Sequence, residues 1–128
     1  MLIHKKLANI STVILNYLLE NPVGNESVEY NDNRISLYVA QNGKDAITGK
    51  PLEIGKMHCH HKLPKSKGGT DEYKNLIFIL DDIHIFIHAT AKETIEKYLN
   101  VLDLNAKMIG KVNKIRLLVG NEELSQIG

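Results

Sequence analysis

The stretch that most constrains this chain is Met57–Ala89, MHCHHKLPKSKGGTDEYKNLIFILDDIHIFIHA. Five of the six histidines fall here, four of them in two pairs with His58 beside the first. His60 and His61 are adjacent, whereas His84 and His88 are one helical turn apart. Residues at i and i+4 share a helix face, so His84 and His88 can hold one ion between them. Neutral imidazole is a good ligand for zinc and other transition metals. Adjacent residues on a strand point to opposite faces, so His60 and His61 cannot easily share that role; one turns toward the ion and the other elsewhere. Three histidines around an ion with open positions, and a further imidazole outside, make a hydrolytic arrangement. The ion polarises a phosphate oxygen, and the free imidazole activates water.

Histidines four apart on an amphipathic helix are often only polar side chains. Here Ile83, Ile85, Phe86 and Ile87 surround His84 and His88, so at least one ring is partly buried and needs a partner. A shared ion supplies one for both.

The order His60-His61, Gly68-Gly69, Asn75-Leu76 and His84-x-x-x-His88 resembles the HNH nucleases, also called His-Me finger or ββα-metal nucleases. From about Arg34 through Leu118, and most closely over MHCHHKLPKSKGGTDEYKNL, the chain is similar to the endonuclease domain at the C-terminus of group II intron reverse transcriptase–maturases. The combination is specific, although each of its parts alone is weak. The resemblance implies an α+β fold, a ββα-metal core with additional flanking helices. It implies His60, His84 and His88 as ligands of one divalent metal ion and His61 as general base. The activity expected is hydrolysis of DNA phosphodiesters, leaving 5′-phosphate and 3′-hydroxyl ends. In the intron branch this is the cut in the second target strand. A freestanding phage or defence HNH nuclease, and a metal-stapled nucleic-acid-binding module that no longer cuts, are the alternatives. Magnesium or manganese suits activity, and three imidazoles also suit zinc or nickel. DNA is the expected partner, with intron RNA reached through a parent reverse transcriptase–maturase.

Asn75 matches the family asparagine that ties the loop to the base-bearing strand or helps position the metal site. An amide donates and accepts at once, which suits holding a loop carbonyl. Lys62, Lys65 and Lys67 flank the catalytic strand. Together with backbone N–H groups exposed at Gly68-Gly69 they are expected to hold phosphates, contacts that carry no base information. Many HNH proteins carry two cysteine pairs around a structural zinc. The matching positions here are Asp45, Thr48, Leu80 and Ile83, so no structural zinc held by four cysteines is expected, and Leu80 and Ile83 should fill apolar space. Cys59 alternates with His60 and is read as packing, and His58 is ambiguous.

The rest of the chain sets bounds. Its 128 residues suggest one domain, and a net charge of +1 means that any attraction to phosphate is local. A single cysteine excludes an intramolecular disulfide and fits a reducing cytoplasm. No apolar run is long enough to span a membrane, and Met1–Ser11 lacks the features of a secretion signal. Residues 1–33 read as an N-terminal helix over Leu7–Leu19 followed by a linker from Val23 to Asn33. Residues 34–120 read as the endonuclease domain and 121–128 as a flexible tail. Within that domain the expected elements are a short helix over Ile35–Gln41 and strands over Glu53–Leu63 and Asn75–Leu80. Helices are expected over Ile83–Ala89, capped by Asp81 or Asp82, and over Ala91–Leu102, behind a Thr90/Glu93 capping box. A last helix is expected over Asn105–Val119, closed by Gly120.

Overall fold

The computed structural model describes residues 10–124. Helix α1 spans Thr12–Glu20 and begins where the Ser11 hydroxyl accepts from the Ile14 N–H. Its start is later than the apolar stripe suggested, and Leu7 lies outside the described residues. Helix α2 spans Val28–Ala40, capped by Ser27, whose hydroxyl accepts from the Tyr30 N–H. The expected linker over Val23–Asn33 is therefore half helix, and a boundary at residue 34 would cut through α2. The polar run Asn31–Asn33 hid the stripe Tyr30, Arg34, Leu37 and Tyr38, all buried. Asn31 acts locally, since its amide bonds both the N–H and the carbonyl of Val23 and folds the α1–α2 turn back on itself.

Strands β1 (Met57–His61) and β2 (Leu76–Leu80) pair antiparallel, with His60 opposite Ile77 and His61 opposite Leu76. Both are shorter than expected. Helix α3 (Asp81–His88) follows β2 without a loop. Leu80 occupies its N-cap and no side chain caps it; instead the Asp81 N–H donates to Lys56 O. Asp81 and Asp82 thus sit inside the first turn, where their charge suits the helix dipole but does not cap. Helix α4 (Lys92–Leu102) likewise starts from Ala91 without a side-chain cap, so the Thr90/Glu93 box does not form. Helix α5 (Ala106–Leu118) is capped by Asn105, which accepts from the Met108 N–H, and the chain leaves it through Gly120 at φ +93°.

Strand alternation assigns two apolar layers to the two faces of the hairpin. Cys59, Leu76 and Phe78 pack with Leu18, Tyr30, Leu37 and Tyr38 from α1 and α2. Ile79 packs with Ile83, Phe86 and Ile87 of α3, Leu102 of α4, and Val112 and Ile115 of α5. A two-stranded hairpin is marginal by itself, and this one is stabilised by helices on both sides. Its β2 edge is also closed by side chains. The Gln41 amide bonds both the N–H and the carbonyl of Phe78, and the buried Asp45 carboxylate accepts from Leu80 N–H at 2.6 Å. Asp45 also accepts from the N–H groups of Ile47 and Thr48 and from the Thr48 hydroxyl. Asp45, Thr48 and Leu80 are thus joined through one carboxylate, and Ile83 is fully buried.

Residues 121–124 are not a loose tail. Leu124 is buried and exchanges hydrogen bonds with the Asn113 amide, while residues 125–128 lie outside the described region. Among the described residues no helix is long and apolar enough to cross a membrane.

Candidate metal centre

His60 stands near the end of β1 on the face that packs against α3. His84 and His88 stand one turn apart on α3, and all three rings meet. Their ligand nitrogens lie within 4.8 Å of one another. Ring centroids are 5.3 Å apart for His60–His84, 5.3 Å for His60–His88 and 4.7 Å for His84–His88. Zinc takes imidazole nitrogen at about 2.0–2.1 Å, so nitrogens standing up to 4.8 Å apart would draw closer to share one ion. His60 is 3% exposed, and its Nε2 is buried without a hydrogen-bond partner among the described residues. Buried polar atoms are nearly always satisfied, so an orphaned imidazole nitrogen facing two other imidazoles is what a cation site leaves behind. The donor set fits a divalent ion that accepts nitrogen.

Electrostatics agree with that fit. Burial pushes His60 down to about 3, helped by the neighbouring imidazoles His84 and His88, and pushes His84 down to about 4, helped by His58 and His88. His88 is lowered by burial and then by the Arg116 guanidinium. Neutral rings carry the lone pairs that a metal needs. Arg116 also fixes the end of α3. From α5 it donates to the carbonyls of Phe86, Ile87 and Ala89, and the Asn121 amide also donates to Ile87 O, so the end of the helix beside His88 is satisfied.

His58 belongs to this face as well. It stacks on His84 with ring centroids 4.1 Å apart, and burial lowers its pKa too. The signal for it was the same alternation that separates His60 from His61: positions 58 and 60 share a strand face.

His61 points the other way, as expected, but it is not a free ring. Its Nε2 lies 2.7 Å from Asp71 Oδ1, and its ring stacks on Tyr30 at 5.2 Å with only 15% of the side chain exposed. Asp71 in turn accepts from the Ser27 hydroxyl and from Lys65 Nζ at 3.1 Å, and Lys65 reaches Glu26 at 3.2 Å. The hydrogen bond from Ser27, followed by those from His61 and Lys65, holds the Asp71 carboxyl at about 2. Glu26, His61 and Asp71 form a second acid–imidazole group, but the Lys65 ammonium already bridges its two carboxylates.

Asn75 clamps the loop between the strands. Its amide donates to Leu63 O at 3.0 Å and Thr70 O at 2.8 Å and accepts from Leu63 N–H at 3.0 Å, and its own carbonyl accepts from Lys62 N–H. The backbone N–H groups of the loop are not open, contrary to the expectation from the sequence. The N–H groups of Gly68 and Gly69 are spent on Lys65 O and Pro64 O. Gly69 is required by space: a Cβ there would lie 1.8 Å from Leu63 O. Lys65 is tied to Glu26 and Asp71, and Lys67 Nζ lies beside Gly120 at the C-terminal end of α5. Of the lysines proposed for phosphate, Lys65 is ion-paired, whereas Lys62 and Lys67 have no ion pair among the described residues. Cys59 is buried, and burial pushes its thiol up to about 12, so it packs rather than ligates. Compared with protein-family models, with curated proteins and with solved structures, the chain finds no match.

Proposed function

We propose that the chain is a metal-dependent DNA endonuclease of the HNH type, with β1, β2 and α3 as its ββα-metal core. The observation that carries this reading is the convergence of His60, His84 and His88 while the adjacent His61 is turned to the opposite face and held by a carboxylate. A ligand triad beside a separate, oriented base suits hydrolysis of a phosphodiester. His60, His84 and His88 would hold one divalent ion, which supplies charge stabilisation to the phosphate oxygens and the leaving oxygen. His61 accepts the proton of the attacking water. Asn75 keeps the connecting loop and the end of β1 in one arrangement, and Lys62 offers charge to the strand backbone. A nick in the second target strand during group II intron mobility, with intron RNA brought by a parent reverse transcriptase–maturase, is the narrower form of the proposal.

Supercoiled-plasmid nicking with a panel of magnesium, manganese, zinc and nickel tests it, run beside metal titration. His61→Ala should lose at least ~100-fold in rate, the low end of general-base contributions, and keep its metal. His88→Ala should lose metal affinity and activity together. A His61→Ala chain that nicks at near wild-type rate, with His58→Ala inactive instead, would move the base to the metal face and refute the assignment. No cleavage by the wild type with any of the four ions would reject the nuclease.

A further inference from the structure

We propose that Asp71 is a positioning residue that holds the His61 ring with hydrogen on Nε2 and the lone pair on Nδ1. The residues that hold Asp71 and His61, Ser27 and Tyr30, then make the N-terminal segment part of the site. The catalytic half of this inference rests on the endonuclease reading; the ring assignment does not.

The argument is one of donors and acceptors. A carboxylate accepts and cannot donate, so a contact of 2.7 Å between Asp71 Oδ1 and His61 Nε2 requires the hydrogen on Nε2. In a neutral imidazole Nδ1 then carries the lone pair. The carboxylate cannot swing away, because its other oxygen is taken by the Ser27 hydroxyl and the Lys65 ammonium. Nor can the ring flip freely, because Tyr30 covers one of its faces at an interplanar angle of 22°. Tyr30 itself is anchored, its hydroxyl donating to the carbonyl of Cys59 in β1. Ser27 and Tyr30 belong to the start of α2, and Asp71 sits on the loop that Asn33 also grips by donating to its carbonyl. Three parts of the chain thus fix one ring.

During hydrolysis the proton leaving water would end on His61 Nδ1, the oxygen would bond to phosphorus, and the bond to the leaving oxygen would break. Asp71 stays ionised and stabilises the imidazolium that forms. Its role runs through the His61 ring rather than through water or phosphate directly. A charged hydrogen-bonded partner is the usual means of fixing which imidazole nitrogen is basic.

The test uses the full chain. Two-bond nitrogen–proton correlation spectra of His61, recorded above the ordinary histidine titration range, read the tautomer directly. The wild type should show hydrogen on Nε2, and Asp71→Asn should show a mixture. In plasmid nicking, Asp71→Asn should lower kcat by at least ~100-fold, with KM and metal affinity within about twofold. A wild-type His61 with hydrogen on Nδ1 overturns the inference whatever the variant does. So does an Asp71→Asn chain with wild-type kcat and an unchanged His61 spectrum. An Nε2–H tautomer lost in Asp71→Asn, in a chain that cuts nothing, upholds the ring assignment while removing the endonuclease reading and the catalytic half with it.

Discussion

Replacing Asn75 by alanine removes three hydrogen bonds that tie Leu63 and Thr70 to the start of β2. The two to Leu63 are partly buried, and the one to Thr70 is exposed. A net hydrogen bond is worth about 1 kcal/mol, and an exposed one roughly half of that, because water replaces it. The loss is therefore about 2.5 kcal/mol. Unfolding entropy of about 2.1 cal/mol/K per residue gives roughly 0.27 kcal/mol per degree for 128 residues, so Tm should fall by about 9 °C. Asn75→Asp sharpens the test. It keeps the acceptor for Leu63 N–H but sets a carboxylate against the carbonyls of Leu63 and Thr70, where the amide donated. It should be at least as damaging as alanine, although it is nearly the same shape. Calorimetry or a circular-dichroism melt reads both variants. A Tm drop under ~3 °C for Asn75→Ala, or an Asp variant more stable than the Ala variant, would show that the amide clamp is not what holds the loop.

Two further outcomes follow from the geometry. Gly69→Ala should destabilise by about 3 kcal/mol and loosen the loop that carries Asp71, because the new Cβ meets backbone at Leu63 that cannot rotate away; a urea midpoint equal to wild type would refute this. Stability should also fall between pH 6.5 and 4.5. In the unfolded chain His60 and His84 protonate near 6.5, while in the fold burial keeps them neutral down to about 3 and about 4, so the unfolded state binds more protons across that window and gains as pH drops. The stabilisation is complete above 6.5. Buried His60 alone should cost roughly 2 kcal/mol over those two pH units, readable as a falling urea midpoint, and a flat profile there would contradict its burial as a neutral ring.

What the chain wrote plainly in its order was local. The spacing of His84 and His88 places both rings on one turn of helix, and period-two alternation separates His60 from His61; neither depends on the rest of the fold. The apolar run Leu76–Leu80 likewise declared itself a strand, because five such residues are too hydrophobic for exposure on both faces. Local cap signals were less reliable. Asp81, Asp82, Thr90 and Glu93 had the right chemistry, but both helices enter directly from packed chain, and backbone geometry left no cap for them to fill.

What only the tertiary structure decided was which polar groups find each other. Asp71 reaches His61 across ten positions and Ser27 across 44, Asp45 reaches Leu80 across 35, and Arg116 reaches the end of α3 across some thirty. Such pairings depend on how helices dock, and docking is driven by apolar area that carries no record of its polar passengers. The same docking turned an apparent linker into the start of α2, and left the glycine N–H groups and Lys65 with partners inside the protein. The spacing of His60, His84 and His88 is a property of one helix and one strand, so it can be read along the chain. The orientation of the neighbouring imidazole is a property of three segments brought together, and it exists only once they have folded.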